Sequence, residues 1–159
     1  MYWIRLREEQ AKELLKNNAE LLIEPMLLRR YDLHLETSGQ NVYDVKYEEV
    51  TNKNGKTKKK LVSKVLLGKV MGASTFYKIK GQTQYDAEFL KNDGNKYNVI
   101  VDEFVAEAQE SNFDRAYALI NLLETLFRNT KERIKVFMLG NDVSEASDIL
   151  TCFNFIPEK

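Results

Sequence analysis

Two apolar runs in this chain end in side chains that can handle a phosphate ester. Asn98-Val-Ile-Val-Asp102-Glu103-Phe104 closes on two adjacent carboxylates, and Ile134-Lys-Val-Phe-Met-Leu-Gly-Asn141 closes on an amide. A buried strand ending in Asp-Glu offers what hydrolysis of a nucleoside triphosphate needs: one carboxylate to hold Mg²⁺ and a second to orient and deprotonate the attacking water. Strands often end in solvated carboxylates, so the acidic pair alone is not diagnostic. The second run adds weight, because ligands of open parallel sheets bind at the carboxyl ends of strands. There Asp102, Glu103 and Asn141 would converge, with Asn141 beside the γ-phosphate. The phosphate-cradling loop G-x-x-x-x-G-K-[ST] is not in the sequence, since neither Gly55-Lys56 nor Gly68-Lys69 has a glycine five residues before its own. Half of an ATPase site is visible.

Positioning those groups requires strands joined by a helix. Tyr97 to Asp102 reads as one strand and Ile134 to Leu139 as the next. Between them Ser111-Asn-Phe-Asp114 has capping-box spacing, and Tyr117, Ile120, Leu123, Leu126 and Phe127 follow at helical period, which predicts a buried helix over 113–130. Strand, helix and strand make a right-handed βαβ unit with a parallel pair. Ahead of it, Tyr2 to Arg7 alternates apolar and basic residues as a strand does. Glu8 to Ile23 carries Ala11, Leu14, Leu15, Ala19, Leu22 and Ile23 at spacings of three and four, an amphipathic helix stopped by Pro25. Asn41 to Val50 and Leu61 to Met71 flank a lysine-rich stretch in which Asn54-Gly55 signals a type I′ turn, so a long β-hairpin is expected. Residues 77–97 are polar and aperiodic, a loop with at most one short helix near Ala87 to Leu90. Phe153 to Ile156 is a last apolar fragment before Pro157.

The bulk numbers allow one domain: 159 residues with 43% hydrophobic composition suffice for an ordinary core. Lysine plus arginine balances aspartate plus glutamate at 24 each, so any contact with a polyanion must be local. One cysteine and one histidine exclude an internal disulfide and a Cys/His zinc cage. No window approaches a membrane span and the N-terminus lacks a signal peptide's apolar stretch, so the chain reads as intracellular.

The remaining candidates each carry a plainer reading. Lys53, Lys56, Lys58, Lys59, Lys60 and Lys64 crowd the hairpin tip, where they suit phosphate contact, but lysines on an exposed hairpin also keep an edge soluble. The segment Arg128-Asn-Thr-Lys-Glu-Arg133 runs through the C-terminal end of the predicted long helix, where the dipole favours cations; the alternative is that Arg128 is offered to a neighbouring subunit's nucleotide. His34, between Leu33 and Leu35, reads as structural, and Cys152 as a small buried hydrophobe.

Taken in order, Ile100-Val-Asp-Glu-Phe104, Glu124-Thr-Leu-Phe-Arg-Asn129, Val136-Phe-Met-Leu-Gly-Asn-Asp-Val-Ser144 and Phe153-Asn-Phe-Ile-Pro157 resemble the DNA-encapsidation ATPases of small tailed phages, large-terminase-like motors that package the genome into the prohead. Tyr2-Trp-Ile-Arg-Leu-Arg7 with its helix is similar to that family's second core strand, and Phe76 to Gly81 to its segment ahead of the acidic strand; the middle hairpin is only loosely similar. The resemblance implies an α/β fold, a partial ASCE-type P-loop ATPase core of parallel sheet and helices carrying an inserted hairpin over about 41–71. It implies Asp102 as Mg²⁺ ligand, Glu103 as catalytic glutamate, Asn141 as sensor and Arg128 as the arginine supplied in trans. Lys80, Arg5 and Arg7 become candidates near the nucleotide, and Lys56, Lys58, Lys59 and Lys60 candidates for nucleic acid.

By the same resemblance the complete motor takes ATP and Mg²⁺, forms a homo-oligomeric ring, acts on double-stranded DNA at the prohead portal in the host cytoplasm, and involves no membrane. The family's first strand and glycine-rich loop would precede Tyr2 and its C-terminal region would follow Lys159. The expectation is therefore an excised or naturally truncated part of the motor, or a product of a split or degraded prophage gene, that binds no nucleotide tightly by itself, with the strand ending at Asn141 left on an open edge. A phage interaction protein that keeps the motor's fold without catalysis, binding a partner through that edge or the lysine hairpin, is the alternative.

Overall fold

The apolar run before Asp102 forms the middle of a parallel sheet. In the computed structural model, which describes residues 1–52, 55–80, 98–104, 113–127, 134–140 and 148–154, strand β5 (Val99–Asp102) lies between β1 (Tyr2–Arg5) and β6 (Val136–Leu139), parallel to both. The register aligns Tyr2, Val99 and Val136 in one row and Arg5, Asp102 and Leu139 in another. Because successive strand residues face opposite ways, Tyr2, Ile4, Val99 and Val101 point into the core and are at most 1% exposed. The expected helix is α4 (Phe113–Phe127), the crossover from β5 to β6. Its Ala116, Leu119, Leu122 and Leu126 join the strand residues in one buried cluster. Removing such a side chain, as in Leu122→Ala, would cost about 2–5 kcal/mol.

These strands and α4 belong to the first of two compact units, Met1–Ala11 with Met71–Lys159; the second is Lys12–Val70. In the first, α3 (Thr75–Ile79) runs into the start of the stretch 77–97 expected as a loop and packs on α4, with Phe76 edge-on to Tyr117 at 6.1 Å. Tyr117 is thus not on the buried stripe and is 48% exposed. The short helix α5 (Asp148–Cys152) packs Ile149 and Leu150 onto the same core, whereas Cys152, read as buried, is exposed. An apolar cleft of about 880 Å³ opens among α4, β6 and Phe153. The expectations for Ala87 to Leu90 and for residues after Asn154 fall outside the described residues.

The second unit holds the hairpin. Strand β2 (Leu35–Ser38) turns through Gly39, at φ 59°, into β3 (Asn41–Thr51), which pairs antiparallel with β4 (Thr57–Gly72). Two register shifts, between Val42 and Tyr43 and between Lys46 and Tyr47, mark β-bulges that skip Leu67 and Val62. Gly55 takes a positive φ of 72°, but Asn52 N–H donates to the Lys56 carbonyl at 2.9 Å, so the connection is longer than the two-residue turn expected from Asn54-Gly55. Beyond Tyr47 and Leu61 both strands are exposed on both faces.

Helix α1 (Glu8–Lys16) ends well before Pro25. Asn18 and Ala19 take left-handed φ values of 51° and 58°, and Ala19 N–H returns to the Leu14 carbonyl at 2.9 Å. Pro25 does not stop a helix; it begins one, α2 (Pro25–Arg30), where its fixed φ and missing N–H cost nothing. His34 is held by its backbone, N–H donating to Asp44 Oδ1 at 2.9 Å. Among the described residues no helix is long and apolar enough to cross a membrane.

Candidate active site

Parallel register places three chemical groups at one end of the first unit. Arg5 ends β1 and Asp102 ends β5 directly beside it. The guanidinium bridges both carboxylates: Nη2 lies 2.8 Å from Asp102 Oδ2 and Nη1 lies 2.5 Å from Glu103 Oε2. The Arg5 and Asp102 side chains are largely enclosed, at 13% and 19% exposure, while that of Glu103 is half open at 50%. Arg5 Nε is buried without a hydrogen-bond partner among the described residues.

Glu103 leaves the strand abruptly. Its φ of 53° is left-handed, a conformation that costs a non-glycine residue about 1–2 kcal/mol, and Phe104 N–H then returns to the Leu139 carbonyl. From the first half of α1, Gln10 Nε2 donates to Glu103 Oε2 at 2.9 Å. Oε2 therefore receives donors from two elements, and the carboxylate is oriented from β1 and α1 together. The Arg5 bridge and the Gln10 contact have no motif; the only signal for them is that α1 starts directly after β1.

Chemically, Arg5 offsets part of the charge of two carboxylates held side by side. No group of three or more His, Cys, Asp and Glu side chains that could hold a metal occurs among the described residues. Asp102 and Glu103 offer two adjacent carboxylates, a donor set of the kind that holds Mg²⁺ together with substrate phosphates.

The other predicted residues distribute unevenly. Arg7 lines a separate cleft of about 390 Å³ with Ser74, Tyr77 and Arg115. Beside it Glu8 accepts from Ser74 Oγ at 2.9 Å and Lys78 Nζ at 3.1 Å. Lys80 is exposed after α3, its Nζ 6.0 Å from the Phe76 ring centroid. Lys56, Lys58, Lys59 and Lys60 are exposed residues of the second unit. Arg128 and Asn141 lie outside the described residues, so the part of the site that the structure assembles is Arg5, Asp102 and Glu103.

Residues 14–159 match the family described as Podovirus DNA encapsidation protein (Gp16). The chain belongs to this family. Two solved structures share the fold. The N-terminal domain of the DNA packaging ATPase from bacteriophage phi29 is 22% identical with a TM-score of 0.58, covering 99% of this chain and 65% of that one. A chain of the bacteriophage phi29 viral genome packaging motor assembly is 24% identical with a TM-score of 0.53, covering 99% of this chain and 39% of that one. The chain thus spans less than two thirds of the length of either. No curated protein sequence matches it.

Proposed function

We propose that this chain is part of the ATPase domain of a phage DNA-packaging motor, an ASCE-type P-loop core of the terminase kind that couples ATP hydrolysis to movement of double-stranded DNA. The observation that carries the reading is the meeting of Arg5, Asp102 and Glu103 at the carboxyl ends of the adjacent parallel strands β1 and β5, the second of which opens the β5–α4–β6 crossover. Asp102, the more enclosed carboxylate, would hold Mg²⁺, and the ion would supply charge to offset that on the phosphoryl oxygens. Glu103, half open and held by Gln10, orients and deprotonates the attacking water. Arg5 keeps the two carboxylates together until nucleotide arrives. Asn141 senses the γ-phosphate, Arg128 acts on a neighbouring subunit's nucleotide in a homo-oligomeric ring, and Lys80 is the further basic residue assigned to the nucleotide. The ring works at the prohead in the host cytoplasm.

The test is Glu103→Gln in the complete motor. Turnover should fall by about 10²-fold or more, the scale of a general base, with ATP binding retained. The 159-residue chain alone should not hydrolyse ATP, because its sequence contains no phosphate-cradling loop. Unchanged turnover in the motor carrying Glu103→Gln would remove the reading. It would favour instead a non-catalytic interaction protein, for which Phe137 and Leu139, 46% and 45% exposed on β6, supply the surface.

A further inference from the structure

The far end of the β3–β4 hairpin is unused by this site, and its charges are arranged in an unusual way. Past Asp44 no β2 residue pairs with β3, and past Tyr47 and Leu61 the two strands form an isolated ribbon exposed on both faces. Paired residues share a face, so Glu48 with Lys60 and Val50 with Lys58 lie on one side, and Tyr47 with Leu61 and Glu49 with Lys59 on the other. The consecutive lysines of β4 therefore project alternately: Lys58 and Lys60 one way, Lys59 the opposite way, with Lys56 at the turn. Glu48 and Glu49 stand across the ribbon from Lys60 and Lys59, and the described residues show no salt bridge between them. The sequence from Glu48 to Lys60 sets five lysines, Lys53 among them, against two glutamates, so the ribbon end is positive in a chain whose net charge is zero.

We propose that this ribbon end enters the major groove of duplex DNA and contacts the phosphates on both of its walls. The partner rests on the packaging-motor reading; the mode of contact rests on the ribbon. A flat acidic surface would meet one lysine face and leave the other in solvent. A groove walled by phosphates on both sides meets both, and the major groove, about 12 Å wide, admits a two-stranded ribbon. At the described positions the ribbon end carries no arginine to pair with guanine and no lysine is interleaved with a stacking aromatic, so the contact is to backbone and independent of sequence.

Such a contact is read from its salt dependence. Four lysine–phosphate contacts give a slope of log affinity against log salt near about −3.6, so binding should weaken about 150-fold between 50 and 200 mM KCl. The experiment follows anisotropy of a labelled 30-base-pair duplex, and of the matching single strand, with the 159-residue chain. Simultaneous Lys56→Gln, Lys58→Gln, Lys59→Gln and Lys60→Gln should reduce the slope by about 3.6 and weaken binding at 50 mM at least tenfold. The corresponding four arginine substitutions should restore both. Lys58→Gln and Lys59→Gln, from opposite faces, should each reduce the slope by about 0.9. The proposal is overturned if only one of these two changes matters, if the single strand binds as tightly as the duplex, or if the fourfold variant keeps its slope. A wild-type slope near zero overturns it as well. None of these results touches the Glu103→Gln outcome, so the ribbon and the ATPase reading fail separately.

Discussion

Replacing Arg5 by methionine separates a buried charge contact from an exposed one made by the same side chain. Arg5 bridges Asp102, 19% exposed, and Glu103, 50% exposed. Methionine preserves the apolar stem and removes both contacts. Losing one partner of a buried pair costs about 3–5 kcal/mol because the remaining charge stays unpaired, whereas an exposed pair is worth about 0.2–1 kcal/mol. The Asp102 contact sits toward the buried limit, so its coupling in a double-mutant cycle should be about 2–3 kcal/mol, and that of Glu103 below about 1 kcal/mol. Arg5→Met should then lower stability by about 3 kcal/mol, or about 6–12 °C in melting temperature for a chain of this size. The single tryptophan, Trp3, lies on β1 two residues away, so its fluorescence reports unfolding around this site. The cycle needs Arg5→Met, Asp102→Asn, Glu103→Gln and the two double variants in urea. Equal couplings for the two acids, or a larger one for Glu103, would refute the assignment of Asp102 as the enclosed partner. A neutral Arg5→Met would refute the bridge.

Three further outcomes follow from packing, titration and the sheet edge. A Cβ on Gly72 would lie 2.6 Å from Glu8 Oε2 and 2.8 Å from the Glu8 Cα; Gly72→Ala should therefore destabilise by about 1–3 kcal/mol, and an unchanged urea midpoint would show that α1 can shift. Lys46, hydrogen-bonded to Asp32, holds that carboxyl below its usual range. Any stability from this contact is present above the ordinary aspartate range and lost as pH falls through the lowered value; Lys46→Met should move the NMR titration of Asp32 upward, and no movement would sink the pairing. Strand β6 pairs only with β5 among the described residues and exposes Phe137 and Leu139, so the chain should self-associate at tens of micromolar while Phe137→Lys sediments as a monomer. A monomeric wild type with slowly exchanging amides at 136–139 would mean that the edge is covered.

The sequence disclosed β5, β6 and the helix between them because all three carry apolar patterns of the right length, and a run ending in Asp-Glu needs no neighbour to be recognised. Elements set by single backbone angles were less legible. Asn18 and Ala19 end α1 in left-handed conformations that neither residue type announces, so the apolar spacing carried the expected helix on to Ile23. Pro25 has the same appearance at the end of one helix as at the start of the next. Tyr117 fits the period of α4 but lies against Phe76, a ring on a helix that the polar sequence around 77–97 did not suggest. Arg5 was a candidate through family likeness alone. Its bridge depends on the register of strands far apart in sequence, which local patterns do not encode.

The left-handed turn at Glu103 sets two kinds of fitness against each other at one residue. Glycine adopts that conformation without strain, and asparagine more readily than glutamate does. Replacing Glu103 by glycine would relieve about 1–2 kcal/mol of backbone strain, offset in part by loss of the Arg5 and Gln10 contacts, and a laboratory selection for heat resistance that accepted the change would discard the proposed proton acceptor. Sequence redesign that scores only how well each residue suits its backbone would make the same exchange. A thermostabilised form of this domain should therefore be built with position 103 held fixed.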